Sequence, residues 1–223
     1  MVTDSLQFSI IKRAIQKSVV KIRVHNLRDW ATDKHKTIDD APYGGGPGMI
    51  YMIEPLYNAI EDIISNQDSE KREIILTSPR GNVLVQDTAV KYSLMDHLVI
   101  ICGHYKGVDE RLKEFFPITE VSIGDFVLSG GEYPALVIVD AVVRLLPGVL
   151  SDIDSAWSDS FNDNLLDCDY YTRPEDFKGK GIPDVLKSGD HKKIESWKLL
   201  QREEITKKKR PDIYKKYINE IKK

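Results

Sequence analysis

Residues 121–150 read VSIGDFVLSGGEYPALVIVDAVVRLLPGVL. A short apolar run ends at Ser129-Gly130-Gly131, a long apolar helical pattern follows, and Pro147-Gly148 stops it. Two adjacent glycines between a strand and a helix leave backbone N–H and C=O groups bare, so a ligand can approach them directly. The helix from about Glu132 is apolar on nearly all sides: Leu136, Val137, Ile138, Val139, Ala141, Val142, Val143, Leu145 and Leu146. Such a helix is expected to be buried, in a core or against a partner subunit. Beyond Glu132 its only charges are Asp140 and Arg144, whose i, i+4 spacing lets them pair with each other.

Upstream, strands alternate with helices. Residues 73–76 (EIIL) read as a buried strand ending at Thr77-Ser78-Pro79-Arg80-Gly81, and residues 86–94 as a helix. Residues 97–102 (HLVIIC) read as a second buried strand ending at Gly103-His104-Tyr105-Lys106-Gly107, and a third strand ends at Gly124 or Gly131. This order predicts an α/β fold with a mainly parallel sheet and helices on both faces. Ligands of such sheets bind where strand C-termini meet Gly-rich loops. The three loops after Leu76, Cys102 and Leu128 can therefore converge on one site.

Nearer the N-terminus, residues 9–19 (SIIKRAIQKSV) have the pattern of an amphipathic helix, and residues 21–27 (KIRVHNL) alternate like a strand. Residues 28–40 are polar and loop-like. Four glycines and two prolines then fall within residues 42–48, which excludes regular structure. The loop matches neither G-x-G-x-x-G nor G-x-x-x-x-G-K-[ST], and structural and ligand-wrapping readings of it stay equally open. Residues 54–65 read as a helix and 66–71 as a polar turn. Residues 151–169 (SDIDSAWSDSFNDNLLDCD) are acidic and serine-rich and read as a mobile linker. Residues 174–183 read as irregular, and 193–208 and 211–222 as helices of a small C-terminal domain.

The 223 residues, 41% apolar and 30% charged, suit a globular chain with one good core, or a core with a small appendage. No run reaches transmembrane length, and no signal-peptide pattern opens the chain. Cys102 and Cys168 are too few and too far apart for a disulfide framework or a zinc site, which fits a reducing cytoplasm. The net charge of −3 is uneven: residues 178–223 hold 15 Lys and Arg against 7 Asp and Glu, a local +8 on a body of −11. A polyanion partner or a solvated lysine-rich helix face both account for that tail.

Four motifs occur together and in order: Pro42-Tyr43-Gly44-Gly45-Gly46-Pro47-Gly48-Met49; Gly103-His104-Tyr105-x-Gly107-x-Asp109-Glu110-Arg111; Ser122-Ile123-Gly124-Asp125-Phe126-Val127-Leu128-Ser129-Gly130-Gly131-Glu132; and Tyr171-Thr172-Arg173-Pro174. Together they resemble the TrmD family of bacterial tRNA (guanine-N1) methyltransferases, of the SPOUT class, from about Ser9 to the C-terminal helices. The resemblance implies a trefoil knot, which runs against the usual rule of chain topology. It also implies a SPOUT cofactor-binding domain over 1–150, a linker over 151–169 and a helical tRNA-binding domain over 170–223. The implied cofactor is S-adenosylmethionine. The implied partners are tRNA and a second copy of the chain, with no DNA and no membrane, in the cytoplasm. The implied substrate is the guanine 3′ of the anticodon.

By the same resemblance, Asp159 is the general base that removes the guanine N1 proton, and Arg144 orients it and stabilises negative charge on the base. Gly103 and Ser122, Ile123, Gly124, Asp125, Phe126, Val127 and Leu128 would bind the cofactor, largely through backbone. Thr77, Ser78, Pro79, Tyr105, Gly130, Gly131 and Pro134 would complete the pocket. No residue is assigned as a metal ligand. The family carries an acidic residue where this chain has Lys106; the reversed charge leaves magnesium assistance open and predicts a weaker dependence on it. The family also begins with a short strand ending in Leu/Ile-Phe-Pro-Glu-Met. This chain starts near that methionine, so a strand of ~5–10 residues is expected to be missing, exposing a sheet edge; a displaced start site or a truncation accounts for that.

Residue types alone are less selective. Asp159 is one of six aspartates between Ser151 and Asp169, and Arg144 has Asp140 as an obvious neighbour. His104 reads as a packing or hydrogen-bonding residue. Trp30, Trp157 and Trp197 read as packing, with Trp157 also placed to stack on a base. Lys207-Lys208-Lys209-Arg210 fits phosphate contact, and Asp39 and Asp40 fit capping of the glycine loop or positioning of the tRNA. The alternative function is a tRNA-binding protein of the same fold with little or no methyltransferase activity. A generic phosphate-ligand α/β enzyme lacks any standard phosphate motif here.

Overall fold

The first unit of the computed structural model, Met1–Ser151, opens with helices α1 (Val2–Ser5) and α2 (Ser9–Gln16) and a 3-10 turn at Leu27–Trp30. Strand β1 (Asp39–Asp40) pairs antiparallel with β2 (Ile50–Tyr51) and closes the base of the glycine loop. Then come α3 (Ile53–Ser65), β3 (Arg72–Val83), α4 (Gln86–Ser93), β4 (His97–Ile101), α5 (Leu112–Phe115), β5 (Ile118–Ser122) and α6 (Glu132–Val143). The structure describes residues 1–67, 69–150 and 159–222.

The main sheet has the order β4-β3-β5, with β3 parallel to both neighbours. Its side-chain alternation explains both cores. Ile74 and Leu76 point to one face, where they pack with Leu56 and Ile60 of α3, Ile101, Val108, Leu112 and Phe116. Ile75, between them, points to the other face and meets Ala89 and Tyr92 of α4, Val121, and Ile138 and Val142 of α6. Both faces are covered, as the near-continuous apolar strand runs require. A third cluster sets Leu6, Ile11 and Ala14 against Val143 and Val149. No helix among the described residues is long and apolar enough to cross a membrane.

Several expectations change. β3 does not stop at Leu76. It runs to Val83, with Thr77 and Asn82 both opposite Val121, so that residues 78–81 bulge out of the ladder. β5 ends at Ser122, and Ile123 to Gly131 is loop apart from a single antiparallel bridge between Gly130 and His104. Residues 21–27 alternate but enter no sheet among the described residues; Val24 is half exposed, and only Ile22 and Leu27 touch apolar clusters. Alternation supplies a face, but a strand also needs a backbone partner.

The α6 helix is not buried all round within the chain. Ala135, Ile138, Val142 and Val143 are buried, whereas Tyr133 and Val137 lie 57% and 45% exposed. Arg144 caps α6, and its N–H donates to the Asp140 carbonyl at 3.3 Å. Gly148, at φ +80°, turns the chain after Pro147.

The second unit, Asp152–Lys223, holds a small hairpin, β6 (Asp176–Phe177) with β7 (Lys180–Gly181), where an irregular stretch was expected. Helices α7 (His191–Lys209) and α8 (Pro211–Ile221) follow. Asp190 caps α7 by accepting from the Lys193 N–H, and Pro211 starts α8, a position where its missing N–H costs nothing. Of the expected linker, residues 151–158, including Trp157, lie outside the described residues. Residues 159–169 pack onto the helices. Leu165 and Thr206 are fully buried, and the Thr206 hydroxyl accepts from the Leu166 N–H at 2.7 Å and donates to the Arg202 carbonyl at 2.6 Å. Arg202 also holds Asp163 at 2.6 Å.

Candidate functional site

Three segments meet at Thr77 within β3, Gly103 just beyond β4 and Gly131 at the N-terminus of α6. The buried Thr77 hydroxyl donates to the Ile101 carbonyl at 3.2 Å and accepts from the Gly103 N–H at 3.1 Å. The Gly103 carbonyl in turn accepts from the Gly131 N–H at 2.7 Å. Side chains have no room here. A Cβ on Gly131 would overlap Thr77 Oγ1 and the Gly103 backbone, and one on Gly103 would lie 2.6 Å from the Thr77 carbonyl. The glycines exist because three backbones approach one another.

Around this junction lies a cavity of about 330 Å³, at the small end of the range for small-molecule sites. Of the residues singled out from the sequence, Thr77, Ser78, Pro79, Gly103, Tyr105, Ser122, Ile123, Gly124, Phe126, Val127, Leu128, Gly130, Gly131 and Pro134 line it. Asp125 belongs to the same loop but is not among the lining residues. Arg144 lines a separate groove of about 510 Å³ on the outer side of α6, with Ile11, Tyr133, Leu136 and Val137. Asp159 is half-buried at the start of the described part of the second unit.

The loop from Ile123 is shaped locally. Ser122 Oγ donates to the Gly124 carbonyl at 2.9 Å and accepts from the Gly124 N–H at 3.2 Å. Gly124, at φ +150°, lies under the Phe126 ring, which a Cβ there would strike. Phe126 and Val127 stay 53% and 82% exposed. On the opposite wall Tyr105 adopts φ +56°, a left-handed conformation costing about 1–2 kcal/mol for a side-chain-bearing residue. Its ring stands edge-on to Tyr51, with centroids 5.7 Å apart.

Glu132, in the first turn of α6, reaches back to His104, with Nε2 and Oε1 2.6 Å apart. A carboxylate suits a helix N-terminus. Burial first, and then the Glu132 charge, push the Cys102 thiol up to about 11 and the Tyr51 hydroxyl up to about 12. Both groups are therefore neutral near pH 7, and Cys102 is a poor nucleophile.

The sequence reading gave no role to Arg80, Glu110 and Glu120, which also line the cavity. Arg80 meets Glu110 at 2.7 Å, and Lys113 bridges Glu110 at 2.7 Å and Glu120 at 3.1 Å. The Lys113 hydrogen bond, reinforced by Arg80, holds the Glu110 carboxyl below its ordinary range. Glu110 belongs to the Gly103–Arg111 motif, where nothing in the local pattern sets its carboxylate apart. Glu120 follows from β5 alternation, because Glu120 and the cavity-lining Ser122 are two residues apart on one strand face.

The Asp39–Asp40 strand closes the glycine loop with Tyr51, and Asp40 Oδ1 accepts from the Ala41 N–H at 2.7 Å. The loop exit joins the cavity wall: the Lys106 N–H donates to the Met49 carbonyl at 3.0 Å, and the Tyr51 N–H to the Gly107 carbonyl at 3.0 Å.

Comparison with known proteins agrees with this architecture. The sequence model of the family described as tRNA (Guanine-1)-methyltransferase TrmD matches residues 1–216. The tRNA (guanine-N(1)-)-methyltransferase of Flavobacterium johnsoniae is 49% identical over 219 residues, covering 97% of this chain and 95% of the relative. That of Christiangramia forsetii is 50% identical over 205 residues, covering 92% and 90%. That of Clostridioides difficile (strain 630) is 44% identical over 208 residues, covering 93% and 90%. With a family match over nearly its whole length and relatives this similar end to end, the chain belongs to the TrmD family of tRNA (guanine-1)-methyltransferases.

Proposed function

We propose that the protein transfers a methyl group from S-adenosylmethionine to N1 of the guanine 3′ of the anticodon in tRNA, working as a homodimer. The observation that carries the cofactor assignment is the Thr77–Gly103–Gly131 junction, where closely packed glycine backbone forms the wall of a pocket in a chain of this family. The residues present suit that ligand. An adenine edge seeks N–H and C=O partners and apolar cover for its ring, and loop 123–131 brings backbone at Gly124, Gly130 and Gly131 and apolar side chains at Phe126, Val127 and Leu128 to the same wall. Bound there, S-adenosylmethionine would supply an electrophilic methyl group on a good leaving group.

The chain's own task is then position and proton removal. Guanine N1 carries a proton, which must leave as the new N–C bond forms. Asp159 accepts it, and Arg144 orients Asp159 and offsets negative charge on the base. Both roles rest on the family resemblance. The fold we propose includes the family's trefoil knot; a crystal structure tracing residues 103–150 without a threaded loop would overturn that part.

Homodimer formation is supported by α6. Tyr133, Val137 and Arg144 share its outer stripe at near-helical spacing beside an apolar groove, and exposed apolar surface of that kind marks an interface. Lys106 brings a positive charge to the cavity wall, so we expect weak dependence on magnesium. Identical magnesium curves for the parent and Lys106→Glu would overturn this expectation.

The direct experiment is methyl transfer from labelled S-adenosylmethionine to an unmodified tRNA transcript, with a second transcript in which that guanine is adenine. Incorporation only into the first, mapped to N1, is expected. No incorporation, with tRNA still bound, would show a binding protein instead.

A further inference from the structure

The basic side chains at the cavity are not equivalent. Arg80 is held by Glu110 at 2.7 Å, and the imidazole of His104 by Glu132 at 2.6 Å. Nearby Lys113 is shared between Glu110 and Glu120, and Arg111 is tied to Asp109 at 2.7 Å. Lys106 lines the same cavity and has no carboxylate partner among the described residues. Each carboxylate on that wall is already committed to another cation.

Its stem is nonetheless held. A Cβ on Gly48 would lie 3.1 Å from Lys106 Cγ and 3.3 Å from Cε, so the glycine leaves the space the lysine occupies. Gly48 sits at φ +96°, a conformation that L side chains rarely adopt. The backbone is held as well, by the Lys106 N–H to the Met49 carbonyl and by a turn closed from the Gly107 N–H to the His104 carbonyl, both at 3.0 Å. A lysine placed this way spends less side-chain entropy on binding than a free surface lysine.

We propose that Lys106 is the carboxylate-binding residue of the cofactor cavity, its ammonium pairing with the α-carboxylate of the ligand's amino-acid end. This rests on the reading of the cavity as the S-adenosylmethionine site. That cofactor has a single anionic group, the carboxylate, and the cavity offers a single cation not already neutralised among the described residues. The match selects ligands that keep the amino-acid carboxylate over those that have lost it. It also places the amino-acid end on the side of Gly48, the glycine-loop residue that packs against the Lys106 side chain.

The test is calorimetric binding of two ligands to the full chain: S-adenosylhomocysteine, and its decarboxylated counterpart, which keeps the adenosine, the sulfur and the amino group. Lys106→Met is expected to weaken S-adenosylhomocysteine about tenfold, the scale of a charge-assisted contact that stays partly solvated. It should leave the decarboxylated ligand within about twofold, which also shows that the variant is folded. Lys106→Arg should recover most of the loss. Equal losses for both ligands, or no loss for either, would overturn the proposal. If the parent chain binds neither ligand, the cofactor reading of the cavity fails first, and this proposal with it.

Discussion

His104, on the cavity wall, and Glu132 meet at 2.6 Å, joining the loop after β4 to the first turn of α6. Gly130 lies directly beside the pair, and a Cβ there would collide with both side chains. The hydrogen bond therefore braces two of the three loops that build the site. Both side chains are roughly 30% exposed, at 31% and 28%, so its worth is discounted from a fully buried charged bond to about 1–2 kcal/mol. We expect His104→Ala and Glu132→Ala each to lower stability by that amount and the double variant to lose little more, as for one shared interaction. Urea denaturation of the four proteins checks this. Additive losses would show that the two residues act separately.

Gly131→Ala should damage the site at its centre. The new methyl group meets the Thr77 hydroxyl and the Gly103 backbone, and backbone cannot swing aside. A loss of about 1–3 kcal/mol in stability is expected, the cost of overpacking. S-adenosylhomocysteine affinity should fall at least tenfold. Normal affinity in calorimetry would mean that the junction does not shape the pocket.

Asp159→Ala should leave S-adenosylhomocysteine binding nearly intact while lowering single-turnover methylation by roughly a hundredfold or more, the order of a lost general base. Asp163→Ala is the internal control, since that side chain holds Arg202 instead. Near-normal turnover in Asp159→Ala would remove it from the mechanism.

Val137→Glu places a charge on the exposed stripe of α6 without touching Ile138 and Val142, which face the core. Expected is a folded monomer by sedimentation, with methylation reduced by about tenfold or more, because an unpaired charge is costly in an apolar interface. A fully dimeric, active variant would put the interface elsewhere.

Lys207, Lys208 and Lys209 are exposed in the last turn of α7. Cations there favour the helix C-terminus whatever they bind. Reversing all three should weaken tRNA binding and flatten its salt dependence, the slope falling by about one for each phosphate that is no longer neutralised. S-adenosylhomocysteine affinity should stay unchanged. An unaltered salt slope would leave them as helix-dipole partners only.

What the sequence determined by itself was element type and the chemistry of the loops. The apolar runs at 74–76 and 98–101 became β3 and β4, and the 3.6-residue patterns became α3, α7 and α8. The glycines at 130 and 131 marked backbone left uncovered between a strand and a helix; that Gly131 packs against the Gly103 backbone came from the fold. Such signals are local, because a period or a missing side chain is visible without knowing the neighbour. The tertiary structure decided who the neighbours are. Only the fold shows residues 78–81 bulging between two pairings with Val121, or Glu132 meeting His104 from 28 positions away. Residues 21–27 alternate without entering a sheet among the described residues, and residues 159–169 look like a linker yet bury Leu165 beside Thr206. In each case composition describes a surface, while the free energy comes from whichever surface lies opposite it, a long-range relation that no local pattern encodes.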